Sequence, residues 1–444
     1  MHPSRMKLHT DYRLLELATD AAAMRMRFES LLGSSLKADV VLDDFCVPRV
    51  LPRTSGEVLI QYRFTPSIPQ RGPSGQWIVY GEHYPFGVEI PQRPALDEAG
   101  TCWFDELRLR VWLFPTDPQL PELPMLFNPE SFESTYSEKL ENVGIQCDGD
   151  SVSTQLLSYR LGRRCIVRMK WESAPQRSSP ASGREIIIKM SRPRQALALW
   201  TRLRQLECDG FNTDSHDQIV LPKHLFLHRS TGAIFQRSET GESLHTLIGH
   251  SLFPEGCTAA ARALRKLHHT HLSGLITYTT DDELDHLAWL SSVTVAAFPS
   301  LRARVEAVLR DLVRTRPANT PALLTVHRDF YDKQVLFDGS RTVLLDYDTL
   351  AAGDPALDYG NFVGHLQWRT HQSPEHAEAL RLGWESFIQT FGHTDSGFET
   401  RSRWWTAAAL LRLACLYSWR PRWQHLALSL LRSRDLRHRA RVSL

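Results

Sequence analysis

Residues 323–361 read LLTVHRDFYDKQVLFDGSRTVLLDYDTLAAGDPALDYGN, and the rest of the chain is organised around them. An apolar run from Leu323 to Val326 breaks into His327-Arg328-Asp329. A short loop leads to Gln334, and the runs Val335-Leu336-Phe337 and Val343-Leu344-Leu345 then flank Asp338-Gly339-Ser340. Asp-Gly between two apolar runs predicts a hairpin. Folded about residues 339–340, that hairpin sets Gln334 beside Asp346, with Asp329 in the loop just before. An amide and two carboxylates then converge, a donor set suited to a hard divalent cation and to proton transfer.

The order of these parts resembles the catalytic core of the protein-kinase-like phosphotransferases: His-x-Asp, an amide five residues after that Asp, a short hairpin, then an Asp opening a further loop. The tail Gly353-Asp354-Pro355-Ala356-Leu357-Asp358 is similar to the aminoglycoside phosphotransferase and choline kinase branch. The resemblance spans roughly residues 150–430 and is most specific over 327–358.

It implies an α+β chain with a bilobal protein-kinase-like fold: a β-rich N-lobe with nucleotide-binding strands over 136–241 and a helical C-lobe over 242–444. It also implies an ATP- and magnesium-dependent transfer of the γ-phosphate to a hydroxyl of a small molecule, such as an aminoglycoside, an amino alcohol or a sugar-like compound. Asp329 is then the catalytic base, and Asp346, Asp348 and Gln334 are the metal ligands, with Gln334 standing where the family usually has Asn. Lys189, Gly162 and Arg328 are the nucleotide-binding candidates, and His327 and Asp358 brace the loops. Arg328 replaces a Gly more common in the small-molecule branch, and its charge has Asp346 and Asp358 as candidate partners. Asp358 is expected to cap a helix starting near Tyr359 and to tie it to the loop.

Length and composition set the frame. A chain of 444 residues is too long for one ordinary domain. A hydrophobic share of 42% suffices for packed cores, and a net charge of +2 gives no basic signature of a nucleic-acid partner. Seven cysteines without a Cys-x-x-Cys fit reduced thiols in a cytoplasmic setting. The N-terminus lacks the apolar core of a signal peptide, and Ala407 to Trp419 is too short for a membrane span.

Taken in order, residues 11–32 have helical spacing of apolar residues, and Val40–Leu51, Val58–Phe64, Trp77–Tyr80 and Leu107–Leu113 read as strands. This gives a small α+β domain over 1–135 without a catalytic motif, closed by the Pro-rich piece 115–129 as a stiff connector. Three further strands follow at Val152–Tyr159, Arg164–Trp171 and Glu185–Met190. Arg160-Leu161-Gly162-Arg163 joins the first two, and 173–183 is a polar loop.

Lys189 lies inside the apolar strand Ile186-Ile187-Ile188-Lys189-Met190, which demands a partner for its charge or an edge position from which it reaches water. The helix Gln195–Leu206 lacks the Glu that usually holds this lysine in the family, so Glu185 or a C-lobe carboxylate is expected to substitute. That absence, with Gln334, motivates a second reading as a nucleotide-binding pseudokinase. A third treats His327, Asp329 and a distal His365 as a two-His-one-carboxylate iron site. Asp281–Asp285 is an acidic helix start that either complements the helix dipole or meets a cationic substrate. His268, His269 and His271 read as a polar helix terminus.

Overall fold

Two periodicities build the elements. β-branched and aromatic alternation gives the strands of residues 41–191, and 3.6-residue spacing gives the helices that dominate after 250. The structure, a computed structural model, describes residues 12–68, 72–73, 75–90, 101–145, 151–172, 185–317, 322–392 and 395–432. The loop expected at 173–183 lies outside the described residues.

In chain order the elements are α1 (Arg13–Thr19), α2 (Ala21–Leu36), β1 (Val41–Pro52), β2 (Val58–Ile68), β3 (Gly72–Pro73), β4 (Trp77–His83), β5 (Thr101–Phe104), β6 (Leu109–Leu113) and α3 (Pro129–Asn142). Next come β7 (Ser151–Arg160), β8 (Arg164–Glu172), β9 (Glu185–Ser191), α4 (Pro193–Leu206), β10 (Ile219–Val220), β11 (His224–His228), β12 (Ala233–Arg237), β13 (Glu242–Ser243) and α5 (Phe253–His268). The remainder comprises β14 (Thr277–Tyr278), α6 (Thr280–Ala297), α7 (Arg302–Arg314), β15 (Leu324–Val326), β16 (Val335–Phe337), β17 (Thr342–Leu344), β18 (Ala351–Gly353), α8 (Pro355–Gln372), α9 (Ala377–Phe391), α10 (Phe398–Ser418) and α11 (Gln424–Arg432). The protein is a mixed α+β chain in which the sheets are antiparallel except for the pairs β10–β17 and β14–β18.

Two compact units emerge. The first takes Met1–Thr116 with Leu284–Asp311 and Leu411–Arg437. Its sheet runs β1-β2-β4-β6-β5, with β3 on β2. Asp20 caps α2 by accepting from the Ala23 amide at 2.8 Å. Phe28 of α2 packs among Tyr62, Phe64 and Phe104, and the Tyr62 hydroxyl donates to the Ala18 carbonyl. In the same unit Trp419 packs on Phe298 and donates to Thr294.

The second unit takes, of the described residues, those within Asp117–Glu283 and Leu312–Leu410. Sequence reading set a domain boundary near 135, whereas the compact units part at Thr116 and Asp117. The Pro-rich piece is not a stiff connector: it folds into turns and a short 3-10 helix, Leu123–Phe127, with Leu120, Leu123 and Leu126 buried. Those leucines have packing to gain, and that outweighs the extended preference of the prolines. The strand β5 and the helix α3 escaped the sequence reading.

The sheet that carries the site is β11-β12-β9-β8-β7. Its register sets Cys165 opposite Met190, Val167 opposite Ile188 and Met169 opposite Ile186, and all six are buried on one face. Phe132 and Tyr136 of α3 pack on Phe235, which pairs with Ile188 and shares that face. The opposite face therefore carries Arg164, Ile166 and Lys189. A second sheet, β10-β17-β16-β13, holds the expected hairpin, and a third, β14-β18-β15, holds the strand before His327.

Candidate functional site

Lys189 is opposite Ile166 in the β8–β9 ladder, so Arg164, two residues along β8, is its diagonal neighbour on the same face. Both cations are buried, and both reach the loop after β17. Lys189 Nζ lies 2.5 Å from Asp348 Oδ1 and 3.3 Å from Asp346 Oδ1. The guanidinium of Arg164 straddles Asp346, with Nη1 2.5 Å from Oδ1 and Nη2 2.7 Å from Oδ2, and Nη1 also meets Asp348 Oδ2. Two carboxylates of the loop after β17 thus take over the lysine for which α4 has no Glu. Glu185, the other expected substitute, pairs with Arg168 and accepts from Ser238.

These contacts set the charge states. Burial pushes the Asp346 carboxyl up, but Lys189 and Arg164 outweigh it and hold it well below the usual carboxylate range. Burial likewise pushes Arg164 down, and Asp346 and Asp348 more than reverse that. The backbone at Asp346 is left-handed, φ 62° and ψ 67°, a conformation that costs a non-glycine residue energy and marks a constrained position.

The hairpin forms as expected, with a register difference. Val335 pairs with Leu344, and the Gln334 carbonyl accepts from the Leu345 amide at 2.9 Å. Gln334 therefore lies beside Leu345, and Asp346 is one residue beyond, turned out of the ladder by its left-handed backbone. Gln334 is buried. Asp329 is half-buried in the preceding loop. Burial raises the Tyr331 hydroxyl pKa, and the charges of Asp329, Asp332 and Asp346 raise it further. Tyr331 stacks on His365 at 4.4 Å between ring centroids, and Arg160 from the end of β7 acts on its hydroxyl in the opposite sense.

Asp358 is the brace of the loop. It is fully buried and accepts from the amides of His327 and Arg328, each at 2.7 Å, and from His268 Nε2 at 3.0 Å. Its expected cap role belongs instead to Asp354, which accepts from the Ala356 amide. The helix starts four residues earlier than expected because Pro355 is favourable at a first helical position. His327 Nε2 bonds the Leu345 carbonyl at 2.9 Å, joining the loop to the end of the hairpin. His268, read from sequence as a polar terminus, is buried and functions in this brace. Arg328 has φ 69° and lays its guanidinium over the Tyr278 ring at 3.8 Å, so its charge pairs with neither Asp346 nor Asp358. Asp332, which the sequence reading left unused, is fully buried between Arg369 and His245 and anchors the segment between Asp329 and Gln334.

The β7–β8 turn is held from a distant segment. Gly162 has φ 66°, its amide donates to Asp117 Oδ2 at 2.7 Å, and its carbonyl accepts from Arg192 at 2.8 Å. Asp117 also accepts from the Tyr159 hydroxyl at 2.7 Å. The acidic start of α6 is likewise engaged: Asp281 meets Arg316, and Glu283 accepts from Tyr278. Among the described residues, no group of three His, Cys, Asp or Glu side chains is arranged to hold a metal ion, which removes support for the iron reading.

The donor set of Asp346, Asp348 and Gln334 is chemically suited to magnesium, which uses one or two carboxylates and completes its shell with water and phosphate. Its arrangement does not accommodate the ion. Arg164 and Lys189 engage all four carboxylate oxygens, and the local charge is already balanced.

Residues 222–396 match the sequence profile described as the phosphotransferase enzyme family, so the resemblance carried by the core block is borne out over that span. No curated protein matches. Solved structures similar to this chain include a choline/ethanolamine kinase family protein from Mesorhizobium loti, 13% identical, covering 70% of this chain and 98% of that one with a TM-score of 0.44. A macrolide 2'-phosphotransferase from Brachybacterium faecium is 16% identical, covers 69% and 97%, and has a TM-score of 0.39. An ethanolamine kinase from Plasmodium vivax is 12% identical, covers 74% and 97%, and has a TM-score of 0.40. Among the described residues no helix is long and apolar enough to cross a membrane.

Proposed function

We propose that the protein is an ATP-dependent phosphotransferase of kinase-like fold, acting on a hydroxyl of a small molecule. One observation carries the reading: Lys189, from the middle of a five-stranded sheet, meets Asp346 and Asp348 at the end of a hairpin more than 150 residues later. The phosphotransferase match over residues 222–396 supports it independently.

Phosphoryl transfer asks little covalent work of a protein. It asks for fixed charge around the phosphates and an acceptor oxygen held in line. Lys189 is the point charge for the α- and β-phosphates. Asp329 accepts the proton of the acceptor hydroxyl as its oxygen bonds to the γ-phosphorus and the bond to the β-phosphate oxygen breaks, releasing ADP. His327 and Asp358 keep the Asp329 loop in its strained path through the bonds to the Leu345 carbonyl and the two loop amides. A bound divalent cation would supply charge neutralisation to the transferring group. Arg164 and Lys189 hold the carboxylates that such an ion would need.

The test is transfer from ATP across a panel of aminoglycosides, amino alcohols and sugars. At least one acceptor should be phosphorylated, and Asp329→Asn should lower the rate by roughly 10²–10⁴-fold while nucleotide binding persists. Undiminished transfer in that variant would remove Asp329 from the mechanism. Nucleotide binding without transfer to any acceptor would favour the pseudokinase reading, to which the fully neutralised acid pair lends weight.

A further inference from the structure

The turn between β7 and β8 is clamped at its tip through both backbone groups of one residue. The Gly162 amide donates to Asp117 Oδ2 at 2.7 Å, and the Gly162 carbonyl accepts from Arg192 Nη2 at 2.8 Å. Asp117 is 3% exposed and is itself fixed: Oδ2 also accepts from the Tyr159 hydroxyl at 2.7 Å, and Oδ1 accepts from the Gln119 amide at 2.8 Å. Arg192, which precedes α4, meets Gln119 as well, so residues 117–119 and this guanidinium form one strap over the turn. The fit is close: Gly162 has φ 66°, and a Cβ there would lie 2.9 Å from Gln119 Oε1. The carboxylate holds the turn from the side away from Lys189. Tyr159 is opposite Cys165 in the ladder, and Cys165 is buried on the face that α3 covers, whereas Lys189 belongs to the other face. Lys189 pairs with Ile166, only three residues beyond Arg163, so its rung is roughly 10 Å along the strand from the turn. A nucleotide whose phosphates reach Lys189 on that face lies alongside the turn.

We propose that Asp117 is a positioning residue for the nucleotide: by pinning Gly162 from the α3 face, it fixes the β7–β8 turn beside the phosphates at Lys189. The proposal rests on the phosphotransferase reading. A carboxylate holds an amide more strongly than a neutral acceptor does, so the turn keeps one conformation before any nucleotide arrives. ATP then binds without having to order it. Without Asp117 the Gly162 amide turns to water, the turn samples other conformations, and binding has to order it at a loss of affinity.

The test is the ATP dissociation constant by isothermal titration calorimetry, with hydrogen exchange of the amides of residues 160–164, on the wild type, Asp117→Ala, Asp117→Asn and Tyr159→Phe. Tyr159→Phe removes the other bond to the same carboxylate oxygen and leaves the Gly162 bond in place, so it separates loss of the anchor from loss of a buried hydrogen bond. Asp117→Ala should bind ATP about tenfold or more weakly and exchange the turn amides faster. Asp117→Asn should lie between, with a loss of about threefold, and Tyr159→Phe should stay within about twofold of the wild type. Far-UV circular dichroism and Tm check folding, and Asp117→Asn carries the test should the Ala variant fold poorly. Wild-type affinity in both Asp117 variants, or an equal loss in Tyr159→Phe, overturns the positioning role and leaves the phosphotransferase reading standing. Absence of ATP binding by the wild type overturns both.

Discussion

At the scale of single residues, the site is built from groups whose burial would be costly without their partners. Asp358 has no exposed surface and accepts two amides and a histidine. Asp358→Ala leaves those donors unsatisfied in a closed space and should destabilise the protein by about 3 kcal/mol, read from the urea midpoint, with Asp358→Asn losing less. A midpoint unchanged in the Ala variant would show that the loop is held by something else. Some of this was legible in sequence because it was locally anomalous: a lysine inside Ile-Ile-Ile-Lys-Met, or an aspartate directly after an apolar strand. Arg164 gave no such signal. It is one of many arginines, and its role appears only once the register of β8 against β9 sets it diagonal to Lys189. His268 and Asp332 were opaque for the same reason, since their partners lie 90 and 37 residues away.

At the scale of elements, the hairpin was readable down to its turn because Asp-Gly and the flanking runs are adjacent in sequence. Its one-residue difference in register shows where local reading stops: the left-handed Asp346 is not encoded by any neighbour but permitted by the contacts around it. The Pro-rich piece failed for a related reason, since buried leucines decided its path. The β11–β12 turn offers a sharp test of backbone geometry. Gly232 has φ 69°, and a Cβ there would lie 2.0 Å from the Ser191 carbonyl oxygen at the end of the lysine strand. Gly232→Ala should cost at least ~2 kcal/mol and disturb Lys189 with it, visible as reduced stability together with weaker nucleotide binding. A stable variant that binds nucleotide as the wild type does would mean that the turn relaxes freely.

At the scale of the whole molecule, stability should respond to acid through a group outside the site. His83 in β4 is buried, and its Nδ1–H donates to the Leu107 carbonyl while Nε2 has no partner. Burial lowers its pKa from 6.5 to about 4. Above pH 6.5 the histidine is neutral in both states and costs nothing. As pH falls from 6.5 towards 4, the unfolded chain takes up a proton that the folded chain refuses, so roughly 3 kcal/mol of stability is lost across that window. Urea midpoints followed against pH should fall more steeply for the wild type than for His83→Gln; parallel curves would assign the acid sensitivity elsewhere. The most direct test of the proposed function is thermal stabilisation by ATP with magnesium, on the wild type and on Lys189→Met. At about 100 times the dissociation constant, the nucleotide should stabilise the wild type by roughly 2.7 kcal/mol, and the variant should lose most of that shift. No shift in the wild type at millimolar ATP, or an equal shift in Lys189→Met, would contradict a nucleotide site built on Lys189 and the Asp346 loop.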